Sequence, residues 1–243
     1  MAKVSAAAFA EFLQARVKAR DGYIMGATGQ DPKTLSAWWF NQYSGNQYTK
    51  AIYWKNNAER VWDCNGLAEG YYKDVTGVSI NTRARNNYAS WCSVKGKGMI
   101  PEERRQPGAA VFWGDSEKEI THVAFLVRPV TEGKTDGDWV MVEARGVNYG
   151  VVETKLLSRN SAYWGLMTKY FDYGETNQTG TNRRAIVTGS SVNIRSGPGT
   201  EYDRLGIVKR GDGLQILTDN GWTPVLYQDK AAWISDKYIR MEE

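Results

Sequence analysis

The chain has 243 residues, 42% hydrophobic and 24% charged, which suffices for one large domain or for a medium domain plus a small one. With 31 Lys and Arg against 27 Asp and Glu, the net charge of +4 is too small for a dedicated nucleic-acid binder. No run of 18 apolar residues exists, and Glu11, Gln14, Arg16 and Lys18 interrupt the opening segment before a signal-peptide core can form, so neither membrane insertion nor a standard secretion leader is expected.

Phe9, Phe12, Leu13 and Val17 recur at helical spacing, which predicts a helix over 4–18. The aromatic-rich stretch over 37–62 reads as partly helical. Its Trp38, Trp39, Tyr43, Tyr48, Tyr53 and Trp54 are expected mainly to pack, the commoner use of aromatics, with a substrate groove as the alternative. After Cys64, Leu67 and Tyr71 lie one turn apart with Ala68 and Tyr72 beside them, so a helix is expected there, with Asp63 as its N-cap. Short apolar runs bounded by Gly, Pro or Asp predict strands over 109–113, 121–127 and 138–144. Helices early and a sheet later define an α+β class. The segment GETNQTGTNRR (174–184) has no aliphatic residue and reads as a linker between a domain over 1–173 and a second over 185–243. In the latter, short β-type runs with turns every eight to twelve residues predict a small all-β barrel, with Trp222 and Trp233 in its core.

Cys64 in the first turn of a helix would have its thiolate stabilised by unsatisfied backbone N–H groups, with Gly66 opening the backbone amides to a substrate carbonyl. The alternative is a buried, unreactive cysteine. A thiolate nucleophile needs an imidazole to take and return its proton, and the chain has a single histidine, His122, in an otherwise apolar strand. A satisfied core histidine is the competing reading. Glu143, in the run DWVMVEA, is placed to bind the far ring nitrogen and fix the tautomer, although glutamates on strands are common. Cys92 has no base nearby in sequence and reads as structural. Two cysteines 28 positions apart without a CxxC pair argue against zinc, while a disulfide between them stays open on spacing alone.

The ordered set DCNGL (63–67), HVAFLV (122–127) and VEA (142–144) resembles the NlpC/p60 cell-wall cysteine peptidases, together with the upstream DGYIMG (21–26) and PGAAVFW (107–113). The resemblance covers roughly residues 20–172. It implies a papain-like catalytic domain with Cys64 as nucleophile, His122 as general base and acid, and Glu143 as orienting residue. Tyr23 is implied beside the nucleophile as an oxyanion support, and Asp63 and Asn65 in peptide binding; Arg145, near the third catalytic position, is a candidate for a substrate carboxylate or else a solvated strand end. Asn65 stands where the family usually has Ser, Glu143 where it usually has His, Asn or Gln, and Ala109 where it usually has Asp. The run VNIRSGPGTEYDRLGIVKRGDGLQIL (192–217), with NGWTPVLY (220–227) and AAWISDKYI (231–239) after it, resembles bacterial SH3-like domains, which implies a wall-binding barrel with Tyr202 and Tyr227 as candidate contacts.

Together these resemblances imply a monomeric peptidoglycan hydrolase acting at the cell wall without metal or cofactor, secreted or phage-delivered, that cuts the stem peptide at the γ-D-glutamyl bond to the diamino acid. An amidase of the CHAP type and an inactive wall binder are the rival readings.

Overall fold

The computed structural model describes residues 2–174, 184–197, 199–216, 222–228 and 230–241. Val4–Ser5 runs parallel to Phe171–Asp172, and helix α1 (Ala6–Lys18) follows. The helix starts two residues later than its apolar spacing suggests because the Val4 N–H donates to Tyr170 O. Ser5 then caps it, its Oγ accepting from the Ala8 N–H at 3.2 Å.

A six-stranded antiparallel sheet forms the body of the first domain. Its strands are β1 (Val94–Lys97), β2 (Ala110–Gly114), β3 (Ile120–Pro129), β4 (Trp139–Ala144), β5 (Val151–Lys155) and β6 (Tyr163–Leu166), in the spatial order β1-β6-β2-β3-β4-β5. Strand alternation divides its side chains between two cores. On one face Phe112, Val123, Phe125, Val140 and Val142 pack with Phe9 and Phe12 of α1 and with Leu67 and Tyr71 of a later helix. On the other, Val111, Ala124, Leu126, Trp139 and Met141 pack with Leu156 and Trp164. Both faces are covered, which is why the strands read as nearly continuous apolar runs.

Between α1 and the sheet, helix α2 (Gly45–Asn57) and a small three-stranded sheet of Gly22–Tyr23, Thr28–Gln30 and Val61–Trp62 lead into helix α3 (Gly66–Thr76). Packing accounts for Trp54, which is buried, but not for Trp38, Tyr48 and Tyr53, which are exposed; Trp38 is 69% accessible. Beyond residue 183 the described residues are strands and turns, with one short 3-10 turn at Asp236–Tyr238. Ser191–Arg195, Arg204–Lys209, Trp222–Tyr227 and Lys230–Ser235 form a four-stranded sheet, and Arg184–Val187 pairs with Gly213–Gln215 and Ile239–Met241. Val192, Ile194, Val208, Val225 and Ile234 make its core. Trp233 is buried as expected, but Trp222 is only half-buried. Residues 175–183 of the expected linker lie outside the described residues. Both cysteines are free, which closes the question of a disulfide between them. Among the described residues, no helix is long and apolar enough to cross a membrane and no group of three or more His, Cys, Asp or Glu side chains could hold a metal ion.

Candidate active site

Alternation along β3 places His122 on the face of Ala124 and Leu126. Along β4 it places Glu143 with Trp139 and Met141, and along β2 it places Trp113 with Val111, so all three share one face of the sheet. His122 Nε2 lies 2.7 Å from Glu143 Oε2. Glu143 is fully buried, and its other oxygen is also taken: Oε1 accepts from Thr154 Oγ1 at 2.8 Å and from Arg159 Nη1 at 2.5 Å. Burial alone pushes the Glu143 pKa up, but the hydrogen bond and charge of His122, the Thr154 hydroxyl and the Arg159 guanidinium outweigh it and the net shift is downward. The carboxylate is therefore held ionised. The Trp113 ring lies 5.4 Å from the His122 ring on one side, and the Arg159 guanidinium lies 4.6 Å from the Trp113 ring. Trp113 thus packs against both the imidazole and the guanidinium.

Cys64 reaches this end of β3 from the helix side, where it packs against the core shared with α1 and α3. Its thiol donates to Thr121 O, the carbonyl of the residue before His122, over 3.8 Å. The lowered pKa that a place near a helix start suggested is not what the surroundings produce. Burial first, and the Asp63 charge second, push the thiol up to about 12, against the smaller opposing effect of backbone contacts of Val123, Asn65 and Cys64 itself. Part of the reason is position: α3 begins at Gly66, so Cys64 sits in the turn before the helix and not within its first turn.

That turn is built by Asp63. Its Oδ1 accepts from the Gly66 N–H at 2.6 Å and its Oδ2 from the Gly26 N–H at 2.9 Å, so the carboxylate holds the helix start and the Tyr23–Gly26 segment together. Burial raises its pKa despite these bonds. Both oxygens accept from backbone donors, so Asp63 fixes the turn that carries Cys64. Asn65 departs from its expected part. It is 2% exposed, donating Nδ2 to Glu69 Oε1 at 3.0 Å and accepting from Asn87 Nδ2 at 2.8 Å, so its amide is spent on buried partners. Gly66 also serves another purpose than access for a carbonyl: a Cβ there would stand 2.0 Å from Ala27 O, so the glycine admits a backbone, not a substrate.

Tyr23 is half-buried and close enough to Cys64 and Asp63 that burial first, and their charges next, push its phenol well above the ordinary range. It stays protonated and is a donor. Arg145 falls in the turn after β4, exposed, with its guanidinium over the Tyr149 ring at 4.7 Å. No hydrogen bond or ion pair joins it to Cys64, His122 or Glu143. Cys92 is buried, its thiol donating to Asn87 Oδ1 at 3.6 Å. In the C-terminal domain Tyr202 is exposed with its ring over Gly197, and Tyr227 is half-buried against the core with its hydroxyl over Gly206. Sequence reasoning passed over Trp113, Thr154 and Arg159. The available signal was the buried carboxylate itself, which demands a countercharge and a donor for its second oxygen.

A fold of helices packed against an antiparallel sheet, with a half-buried thiol hydrogen-bonded to the carbonyl that precedes a carboxylate-paired histidine, is of the papain-like class. Residues 29–171 match the NlpC/P60 family, and the chain belongs to it. Residues 190–240 match the bacterial SH3 domain. A Bacillus subtilis (strain 168) protein, "Putative N-acetylmuramoyl-L-alanine amidase YrvJ", is 27% identical over 107 residues, 44% of this chain and 18% of that protein. The chain thus matches less than a fifth of that relative's length. Similar solved structures include the NlpC/p60 domain of peptidoglycan hydrolase SagA, 17% identical, covering 65% of this chain and 98% of that one at a TM-score of 0.37. Another is Ly7917, 15% identical, covering 95% of this chain and 92% of that one at a TM-score of 0.36.

Proposed function

We propose that the protein is a peptidoglycan hydrolase, a cysteine endopeptidase that cuts the stem peptide at the γ-D-glutamyl bond to the diamino acid. The observation that carries this reading is the 2.7 Å contact of His122 with a fully buried, ionised Glu143, at the end of the strand whose Thr121 carbonyl takes the Cys64 thiol. With its Nε2 proton donated to Glu143, His122 has a lone pair on Nδ1 to accept the thiol proton. A thiol held up at about 12 does not ionise by itself near neutral pH. The ion pair with His122 is what makes the nucleophile.

Cys64 Sγ then attacks the scissile carbonyl carbon. The oxyanion is held by the Cys64 N–H, which among the described residues donates to no backbone carbonyl, and by the Tyr23 hydroxyl. Imidazolium gives its proton to the leaving amine as the C–N bond breaks, and water, deprotonated by His122, hydrolyses the thioester. In this reading residues 1–173 are the catalytic domain, 174–184 the linker and 185–243 a wall-binding domain that concentrates the enzyme on its substrate, with Tyr202 and Tyr227 as weak candidates for contact. The protein works as a monomer at the bacterial cell wall, reached by secretion or by phage delivery.

The amidase name of the Bacillus subtilis relative favours a second reading, cleavage between muramic acid and L-Ala by the same residues. Mass spectrometry of the soluble products from purified sacculi separates the two. Peptides lacking their first two residues, released by wild type and not by Cys64→Ala, are the expected result; whole stems would point to the amidase. No release by a folded wild type from several wall chemotypes would leave a binding protein.

A further inference from the structure

In α3, Glu69 and Lys73 are spaced i, i+4 with the acid first, the orientation that ordinarily closes an ion pair on a helix surface. No such pair forms between them. Glu69 is turned inward and is 4% exposed; its Oε1 accepts from Asn65 Nδ2 at 3.0 Å and from the Thr82 N–H at 2.6 Å. Among the described residues its Oε2 accepts nothing. Glu69 and Lys73 instead line one cavity of about 260 Å³, together with Trp39, Ile80, Asn81 and Gly26. The Gly26 N–H binds Asp63 Oδ2, and Asp63 directly precedes Cys64, so the cavity adjoins the segment that carries the thiol.

That second oxygen of Glu69 is not one of the sealed, unpartnered atoms of the interior, so a donor entering the cavity can reach it. The donor that fits best is a cation, and the exposed ammonium of Lys73 one turn on calls for an anion at the same ligand's other end. Trp39 and Ile80 supply an apolar wall for the carbon between. We propose that this cavity binds the zwitterionic amino-acid end of a wall peptide, its ammonium on Glu69 Oε2 and its carboxylate at Lys73. The assignment rests on the hydrolase reading for the source of that ligand. Burial pushes Glu69 up to about 8, so an ammonium bound at Oε2 would draw the carboxyl toward its ionised form.

The test is a binding cycle with the full chain carrying Cys64→Ala. The probes are a synthetic stem tripeptide whose third residue ends in a free amino acid, the same peptide acetylated at that amine, and the same peptide amidated at that carboxyl. Each cap should weaken binding about tenfold, as expected for loss of one charge-assisted contact. With Glu69→Gln added, whose amide oxygen still accepts from Asn65 and Thr82, the acetyl cap should cost nothing further. With Lys73→Met added, the amide cap should cost nothing further. Caps that cost the same with and without the matching substitution, or an uncapped peptide that does not bind, would falsify the assignment. Wild-type cleavage of sacculi, measured in parallel, keeps the two readings apart: cleavage without coupling removes the cavity assignment alone, and coupling without cleavage removes the hydrolase alone.

Discussion

At the scale of single residues, the candidate site is a chain of ionic commitments. Arg159 is bound to the oxygen of Glu143 that His122 does not use, and it is the only guanidinium or ammonium in an ion pair with that carboxylate among the described residues. Replacing it by Ala should raise the Glu143 pKa, shift the acid limb of the kcat/KM profile to higher pH and lower kcat by about 10-fold to 100-fold, with Arg159→Lys recovering most of the loss. An unchanged profile would show that Thr154 suffices to anchor Glu143. Glu69 offers a separate test with the opposite sign from a paired acid. Its folded pKa of about 8 lies above the ordinary 4.5, so between these values the unfolded chain binds fewer protons and stability falls as pH rises. The Tm of Glu69→Gln should match wild type near pH 4.5 and exceed it near pH 8; a constant difference across that range would mean that Glu69 ionises normally in the fold.

At the scale of elements, α3 is set by close approach to the Ala27–Thr28 backbone. Gly66 and Gly70, one turn apart, face that segment: added Cβ atoms would lie 2.0 Å from Ala27 O and 2.3 Å from Thr28 O. Neither obstacle is a side chain that can swing away. Gly70→Ala is the cleaner probe because it lies further from Cys64, and it should cost about 1–3 kcal/mol in urea denaturation as an overpacked contact. The improved helix propensity of Ala offsets at most about 1 kcal/mol of this. A net gain in stability would mean that α3 slides freely on the small sheet.

At the scale of the whole molecule, the first domain closes on itself late in the chain. Phe171–Asp172 pairs with Val4–Ser5, and the Tyr173 hydroxyl donates to Gly108 O at 2.9 Å and accepts from the Met167 N–H at 3.0 Å. A chain ending at Gly174 should therefore keep the cooperative unfolding of the first domain, whereas one ending before Tyr163 should lose both the β6 strand and this closure. If the proposed tether is right, the Gly174-terminated protein cuts soluble wall fragments at the wild-type rate but is no longer retained on sacculi in a pull-down. Equal retention of both would place the wall contact in the first domain.

Much of this was legible in the order of residues. Cys64, His122 and Glu143 stand out in short motifs because a thiol, an imidazole and a carboxylate within apolar surroundings each break the local pattern, and in a chain with one histidine the candidate base is His122. The α+β class likewise followed from apolar spacing, since periodicity is a local property. What lay beyond it depended on partners distant in sequence. Arg159 and Thr154 become visible only when strand pairing brings them to Glu143, and the inward turn of Asn65 depends on Asn87, 22 positions on. The same holds for Gly66, Asp63 and the raised thiol of Cys64, where a neighbour's backbone or the depth of burial decides the outcome. Sequence determined which chemistry the chain carries and in what order; the tertiary structure decided which groups are charged, which are buried and what each touches, because desolvation and hydrogen bonding depend on the surroundings that packing creates.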